Sequence, residues 1–221
     1  MEIITTVILA MSADGKIADA ARSPARFGSP EDKAHLETQI AQADAVLFGA
    51  GTLRAYGTTM KVNQPENLLL REKSGKPPQP VQIVASRSGE FDPNLKFFSQ
   101  PVPRWLVTTQ EVSTLNKKSI SLFEKILTTN QKGSINWEQV FQELSILGIK
   151  KLAVLGGGEL VAALFANQLV KELWLTICPV IIGGKNSPTP VDGLGLTSKQ
   201  KLCLLETKVV GSEIFLHYSV V

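Results

Sequence analysis

The sequence predicts an α/β fold whose sheet is mainly parallel and ends in an antiparallel edge. Short apolar segments alternate with segments in which apolar residues recur at helical spacing, a pattern typical of parallel strands joined by helices on both faces of a sheet. Near the C-terminus, residues 201–209 and 213–220 form two strand-like segments joined at Gly211, which predicts a hairpin. With 221 residues and 43% hydrophobic content, the chain can bury one core, and we expect a single domain over residues 1–221.

Composition disfavours several classes of protein. The net charge is +3 and the lysines are scattered, so nucleic acid is not an expected partner. No segment approaches the ~18 uninterrupted apolar residues of a membrane span, and the N-terminal apolar segment lacks the basic flank of a signal peptide, so we expect a cytoplasmic protein. Cys178 and Cys203 lack metal-ligand spacing and the chain has only two histidines, so we expect no metal site and two reduced, buried thiols.

The first third of the chain predicts two strands, each followed by a polar or glycine-rich turn. Residues 3–11 predict a strand, and a loop rich in serine, proline and glycine follows to about residue 29. Residues 29–32, with the sequence SPED, are typical of a helix start, because they combine a capping serine, a first-turn proline and two acids near the positive helix end. Residues 45–48 predict a buried strand that ends in the sequence GAGT at 49–52.

The remainder of the chain predicts one long surface segment and then further strands. Residues 57–80 are polar and rich in proline, which predicts an excursion over the surface. Strands are predicted at residues 80–85, 104–109, 120–127, 150–155 and 171–182. Asn136 predicts the cap of a helix with one apolar face, and another helical period begins at Leu160.

The glycines after the strand at 150–155 form the most informative motif. Gly156, Gly157 and Gly158 stand between a buried strand and a helix, where the lack of side chains lets backbone N–H groups approach a ligand. Those groups, with the positive end of the helix dipole, make an anion site suited to a pyrophosphate. The alternative is a tight turn that binds no ligand.

Two other strand ends carry ligand-binding groups. Residues 49–54 begin like a dinucleotide-binding motif, but Arg54 stands where the third glycine would be, so neither the Rossmann nor the P-loop pattern matches. The Thr52 hydroxyl could still bond a ligand. Ser86, Arg87 and Ser88 offer a guanidinium and two hydroxyls to a ribose 2′-phosphate; the alternative is an isolated surface arginine.

Four turns that follow predicted strands therefore carry polar or glycine-rich groups: residues 12–16, 49–52, 86–88 and 156–159. Because the carboxyl ends of parallel strands meet at one edge of a sheet, we expect these turns to converge. They contain phosphate-binding groups but no Ser/His/Asp series and no carboxylate pair at a readable spacing. Hydride transfer from a nicotinamide requires mainly orientation from the protein, so this chemistry fits the residues.

Taken together, the motifs resemble those of the pyrimidine reductases of riboflavin biosynthesis, which form the reductase domain of a bifunctional deaminase–reductase. The matching segments, spread over residues 3–220, are SADGKIA at 12–18, the helix start at 29–30, DAVLFGAGTLRA at 44–55, GGGEL at 156–160 and LVKEL at 169–173. No zinc-deaminase signature is present, so the resemblance is to a free-standing reductase. It implies a dihydrofolate-reductase-like three-layer fold, a homodimer, NADPH as hydride donor, and reduction of 5-amino-6-(5-phosphoribosylamino)uracil to its ribitylamino product.

The resemblance also implies the residues of the site. The implied NADPH contacts are Ala10, Arg26, Gly51, Thr52, Ser86, Arg87, Gly156, Gly157, Gly158, Glu159 and Leu160. Lys33 would meet the phosphate of the substrate. Asp14, the catalytic candidate, begins the turn beside the nicotinamide pocket, where it either orients the substrate or caps the turn.

Four positions depart from the family pattern. Many members have a lysine in place of Ile8, an acid in place of Tyr56, an arginine near Asn63 and a glutamate in place of Leu155. A leucine cannot accept hydrogen bonds, and each polar substrate group left unpaired costs about 1–3 kcal/mol. The cofactor half therefore matches the family while the substrate half departs from it. Two alternatives stay open: an NADPH-dependent reductase of a pterin, a dihydrofolate-like compound or another small substrate, and a non-catalytic nucleotide-binding module.

Overall fold

The structure, a computed structural model, describes residues 2–115, 117–130 and 133–221. Its strands are β1 (Ile4–Ser12), β2 (Ala45–Gly49), β3 (Val81–Ala85), β4 (Arg104–Thr109), β5 (Lys125–Thr129), β6 (Lys151–Val154), β7 (Glu172–Cys178), β8 (Leu202–Val210) and β9 (Glu213–Val220). They form a nine-stranded sheet in the order β5-β4-β3-β2-β6-β1-β7-β9-β8. β1 to β7 pair in parallel, whereas β9 is antiparallel to β7 and to β8. The predicted mainly parallel sheet and its C-terminal hairpin are confirmed.

Helices cover both faces of this sheet. They are α1 (Pro30–Gln42), α2 (Ala50–Tyr56), α3 (Pro65–Lys73), α4 (Gln110–Leu115), α5 (Lys117–Ile120), α6 (Trp137–Ile146) and α7 (Gly158–Ala166). Successive residues of β2 divide between two apolar cores, since Leu47 packs with α6 and α7 while Val46 and Phe48 pack with α1 and α2. The predicted three-layer architecture is confirmed. Of the helices that the structure describes, none is long and apolar enough to cross a membrane.

Local sequence signals determine where two of these helices begin. The Ser29 hydroxyl accepts a hydrogen bond from the Asp32 amide at the start of α1, and the Asn136 side chain accepts from the Gln139 amide at the start of α6. Such caps satisfy backbone donors that the helix itself leaves unpaired. Both predicted helix starts are confirmed, and the first of them sets the position of Asp32.

The segment 57–80 is not a plain surface excursion, because it contains α3. Pro65 stands at the first helical position, as it does in many helices. Arg71 of α3 is almost fully buried and donates to the carbonyl oxygens of Ala41, Ala43 and Pro77. The buried Arg71 guanidinium therefore fixes α3 in place and also caps the end of α1. The polar sequence of α3 does not reveal this role.

Other differences from the predicted elements are local. The strand predicted at 120–127 is β5 at 125–129, and the one predicted at 171–182 ends at Cys178, where Pro179 follows. Cys178 is buried as expected, whereas Cys203 is exposed. Cys203 lies on β8, the edge strand, whose residues from Leu202 to Val209 are all exposed, so no second layer covers it.

Candidate active site

The glycine-rich turns after β2 and β6 lie in contact. The Gly49 amide donates to the Gly156 carbonyl over 2.8 Å, and a Cβ on Gly157 would come 3.7 Å from Thr52 Oγ1. β2 and β6 are neighbours in the sheet. The helices that follow them, α2 and α7, therefore begin side by side at the carboxyl ends of these two strands. Thr52 and Gly157 therefore face each other, as the predicted convergence of the turns requires.

Charged side chains bring two more turns to this edge. Glu159, in the first turn of α7, lies with one carboxylate oxygen 3.6 Å from Arg87 Nη2 and the other 3.8 Å from Arg22 Nη2. All three side chains are more than half exposed, so these ion pairs contribute little to stability. They nevertheless place two guanidinium groups beside the start of α7. Arg22, in the loop after β1, was not identified by the sequence motifs.

The three glycines before α7 have different surroundings. Gly156 has a φ of +88°, which favours glycine. A Cβ on Gly158 would overlap the Thr189 carbonyl oxygen and lie 2.8 Å from Asp192 Cβ, so Gly158 allows close packing of the segment 189–192 rather than approach of a ligand. The Cβ position of Gly157 instead points toward Thr52, and a Cβ on Gly51 would meet nothing within 4 Å.

Two further implied cofactor residues, Leu160 of α7 and Ser86 directly after β3, use their side chains for packing or turn formation. Leu160 is buried in the core beneath α6 and α7, so only its backbone could meet a ligand. Ser86 is buried, and its hydroxyl accepts from the Gly89 amide, which stabilises the turn that presents Arg87. α7 has no side-chain cap at Gly157, so its first-turn N–H groups are available to an anion.

Asp14 makes the contacts of a turn cap. Its carboxylate accepts from Ser12 Oγ at 2.6 Å and from the amides of Ile182 and Gly183 at 3.0 and 2.6 Å. The Ser12 hydroxyl and these amides lower the pKa of Asp14 to about 2. Of the two roles left open by the sequence, the contacts match the second, because an ionised, triply bonded carboxylate joins the turn after β1 to the segment after β7.

The loop before α1 contacts the end of α2. The Tyr56 hydroxyl donates to the Ala25 carbonyl over 3.0 Å, and burial raises the pKa of Tyr56 while the neighbouring Arg26 lowers it. Lys33 is exposed in α1. Ala10 lies on β1 directly opposite Thr176 of β7.

Ser29 joins two acids, Asp32 and Glu213, where the sequence interpretation found no carboxylate pair at a readable spacing. Glu213, on β9, is buried and accepts from the amide and hydroxyl of Ser29 at 2.8 and 2.5 Å, and the Asp32 amide, on α1, donates to the same hydroxyl. Burial raises the pKa of Asp32, and the negative charge of Glu213 adds to the increase. The two acids lie near opposite ends of the chain, so their spacing could not have shown the pair.

The positions that depart from the family pattern are apolar or engaged elsewhere. Ile8 is buried, and Leu155 packs against the same core beneath α1 and α2. The Asn63 side chain donates to the Lys61 carbonyl, and its amide donates to buried Glu37. Among residues 2–115, 117–130 and 133–221, no group of three or more His, Cys, Asp or Glu side chains could hold a metal ion.

The fold and this edge define a class, the dihydrofolate-reductase-like α/β oxidoreductases. The model of the RibD C-terminal domain family matches residues 4–216, and the chain belongs to that family, which supplies the reductase of riboflavin biosynthesis. The predicted family is confirmed, and membership implies a nicotinamide cofactor. Three features fit the phosphates of such a cofactor. They are the glycine-lined contact of Thr52 with Gly157, the uncapped start of α7, and the guanidinium groups of Arg22 and Arg87.

Several known proteins are similar to the chain. It is 27% identical over 201 residues to the 2,5-diamino-6-ribosylamino-4(3H)-pyrimidinone 5′-phosphate reductase of Archaeoglobus fulgidus, covering 90% of this chain and 91% of that protein. It is 25% identical to the riboflavin biosynthesis protein RibD of Chlamydia pneumoniae, covering 93% of this chain and 54% of that protein. The crystal structure of a pyrimidine reductase-like protein from Corynebacterium diphtheriae has the same fold, with a TM-score of 0.84, 23% identity, and 99% and 92% of the two chains covered.

Proposed function

We propose that the protein reduces a phosphorylated ribosylaminopyrimidine of riboflavin biosynthesis, with NADPH as hydride donor. The substrate we favour is 5-amino-6-(5-phosphoribosylamino)uracil. The observation that carries the proposal is family membership over nearly the whole chain. The names of the similar archaeal reductases support a second candidate, the corresponding 2,5-diaminopyrimidinone, which carries an amino group where the uracil has an oxygen.

The experiment that tests this proposal follows loss of reduced nicotinamide absorbance with each of the two pyrimidines as substrate. We expect turnover of at least one, with formation of the ribitylamino product detected by mass spectrometry. Turnover only of a pterin or of dihydrofolate would replace the pyrimidine with that substrate. Stoichiometric NADPH binding without oxidation of the cofactor by any of these compounds would leave a non-catalytic binding module.

The proposed cofactor site consists of Ala10, Arg26, Gly51, Thr52, Ser86, Arg87, and the backbone of residues 156–160, with Lys33 directed to the substrate phosphate. Gly157 provides the sharpest test, because the valine of Gly157→Val would fill the space that faces Thr52. We expect NADPH affinity, measured by fluorescence titration, to fall roughly tenfold or more. Unchanged affinity in folded Gly157→Val would remove this residue from the site.

Preference for NADPH over NADH is proposed to come from Arg87 with help from Arg22. Each guanidinium group forms an ion pair with one carboxylate oxygen of Glu159. A ribose 2′-phosphate presents oxygens to arginine in a similar way. Because these side chains are exposed, we expect Arg87→Ala to weaken NADPH binding only about two- to fivefold and to leave NADH binding unchanged. An equal loss for both nucleotides would contradict the assignment.

We further propose one reductase domain over residues 1–221, located in the cytoplasm and assembled as a homodimer. One sheet contains strands from both ends of the chain, which supports a single domain. Leu204, Leu205 and Val209 are each more than half exposed on the edge strand β8, which leaves an uncovered, pairing-competent edge. Two antiparallel copies of β8 centred on Thr207 would place each Glu206 opposite a Lys208. Leu205→Lys should yield monomers in light-scattering chromatography, whereas Ile146→Lys, at another exposed position, should not.

A further inference from the structure

The loop between β1 and α1 crosses the carboxyl edge of the sheet at the end of β6. It leaves the end of β1 and contacts the last residue of α2, where the Tyr56 hydroxyl donates to the Ala25 carbonyl over 3.0 Å. In the sheet, β6 lies between β1 and β2, so the path from β1 to α2 passes the end of β6. On this path, Arg22 Nη2 lies 3.8 Å from Glu159 in the first turn of α7, the helix that follows β6. The loop therefore lies across the glycine turn that begins α7.

Both ends of this loop are fixed to strands on the far side of β1. At the first end, the Asp14 carboxylate accepts from two amides of the segment after β7 at 3.0 and 2.6 Å. At the second end, the Ser29 amide and hydroxyl donate to Glu213 of β9 at 2.8 and 2.5 Å. Between these anchors, residues 18–27 are held to α2 and α7 by the hydrogen bond and the ion pair just given.

The middle of the loop is a turn closed by its own hydrogen bonds. The backbone carbonyl of Asp19 accepts from the Arg22 amide at 3.0 Å, and its carboxylate accepts from the Ser23 amide at 2.9 Å. Residues 19–23 are all exposed. A segment with internal hydrogen bonds and little buried surface can move away from the fold without unfolding the core.

The two contacts that hold residues 18–27 differ in strength. The ion pair joins side chains that are both more than half exposed, so it contributes little and is screened by salt. The bond from Tyr56 to Ala25 has an ordinary hydrogen-bond length. Tyr56 also stands four residues after Thr52 in α2, and residues at this spacing share one side of a helix. The Tyr56 hydroxyl therefore holds Ala25, and with it the neighbouring Arg26, on the side of α2 that carries Thr52.

We propose that residues 18–27 form a lid over the cofactor cleft, where Thr52 faces Gly157, and that Tyr56 is the positioning residue that holds this lid closed. The inference rests on the proposed function. With the Tyr56 bond formed, the lid lies across the path of a nucleotide to the cleft, so NADPH enters and leaves through the open state. The hydroxyl lowers the population of that state and so slows both steps.

The first test observes the lid without any ligand. Trypsin cleaves after arginine, and Arg22 and Arg26 are exposed on the lid, whereas Arg71 of α3 is almost fully buried. Because proteolysis follows the population of the open form, we expect Tyr56→Phe to cleave at the two lid sites about two- to tenfold faster, the effect of one hydrogen bond. Cleavage after Arg71 should not change. Tyr218→Phe, which removes the only other tyrosine hydroxyl of the sequence, should leave all three sites as in the wild type. Equal cleavage of the lid in Tyr56→Phe and wild type would overturn the proposal.

The second test measures the rates of NADPH binding by stopped-flow fluorescence. We expect association and dissociation both to become about two- to tenfold faster in Tyr56→Phe, with Kd changed less than either rate. Faster association separates a lid from general damage, because damage to a site does not speed binding. Thr52→Val, which removes a proposed cofactor contact one turn earlier on α2, should instead speed dissociation with little change in association.

Faster dissociation alone in Tyr56→Phe would overturn the lid and make the phenol a direct cofactor contact. Failure of the wild-type protein to bind NADPH would instead overturn the proposed function, and the trypsin test would still decide whether Tyr56 holds residues 18–27 closed.

Discussion

Two aspartates, Asp14 in the turn after β1 and Asp32 in the first turn of α1, have opposite environments. Asp14 is exposed, accepts three hydrogen bonds from a hydroxyl and two amides, and has its pKa lowered to about 2. Asp32 is partly buried, and burial raises its pKa, with a further increase from the negative charge of Glu213 and an opposing decrease from the Thr176 side chain. The same side chain is therefore held as an anion in one place and keeps its proton to higher pH in the other.

This difference shows which structural feature decides the role of a carboxyl group at this edge. For Asp14 the hydrogen-bond donors decide it. For Asp32 burial raises the pKa most, and the negative charge of Glu213 adds to the increase. Loss of a hydrogen-bond donor to Asp14, or of the Glu213 charge, should therefore bring the two pKa values closer together. Loss of the Thr176 hydroxyl should move them further apart.

The largest effect is expected from Glu213→Gln, which removes the charge that separates the two environments. The Ser29 amide and hydroxyl would lose a buried anionic acceptor, so the free energy of unfolding should fall by about 1–3 kcal/mol. The pKa of Asp32 should fall in part, because burial, the larger cause of its increase, remains. Urea denaturation measures the first effect and carboxyl NMR the second.

Glu206→Gln, on the exposed edge strand β8, is the matched control for this change. It should leave both the unfolding free energy and the Asp32 titration close to those of the wild type. An unaltered Asp32 titration in Glu213→Gln would mean that burial alone raises the pKa, and the contrast between the aspartates would then not depend on a second carboxyl group.

A smaller, pH-dependent effect is expected from Asp14→Asn and Asp32→Asn, with opposite signs. The pKa of Asp14 is lowered from 3.8 to about 2, so the folded state binds its proton less readily than the unfolded chain. Asp14 therefore stabilises the fold above about pH 4, and this contribution is lost as the pH falls from 3.8 toward 2. The deficit of Asp14→Asn relative to wild type should shrink over that window.

For Asp32 the sign is reversed. Its pKa in the folded state lies above the ordinary 3.8, so the unfolded chain loses its proton first as the pH rises. Ionisation then favours unfolding, and stability falls from pH 3.8 upward until the folded pKa is passed. Relative to wild type, Asp32→Asn should gain stability as the pH rises through this window. Equal pH dependence of the two variants in denaturant titrations would contradict the assigned environments.

The sequence predicts the Asp14 environment far better than that of Asp32, and the reason is physical. Asp14 and Ser12 lie within one turn, and the start of α1 at Ser29 is equally local, so short-range patterns identify them. Asp32 looks like an ordinary first-turn acid, because its partners Thr176 and Glu213 come from strands near the other end of the chain. Only the register of β7 against β1 and β9 brings them together.

The same distinction explains the rest of the site. The glycine-rich turns at 49–52 and 156–159 were predicted because their spacing after a strand is local and their place in a parallel sheet follows from topology. Arg22 was missed because its φ of +59° and its approach to Glu159 depend on the path of an irregular loop. Arg71 was missed because a buried arginine that caps another helix leaves no periodic signal.

The smallest effect is expected from Thr176→Val, which keeps the shape of the side chain and removes the hydroxyl donor. Because that hydroxyl lowers the pKa of Asp32, its loss should raise the pKa further, which carboxyl NMR measures. The ionised carboxylate would lose one hydrogen bond worth about 0.5–1.5 kcal/mol, so destabilisation should appear at alkaline pH and fade in acid. Thr108→Val, at another buried threonine of the sheet, should change neither profile. A shift of the Asp32 titration to lower pH in Thr176→Val would mean that the hydroxyl accepts from a protonated Asp32 rather than donating to its anion.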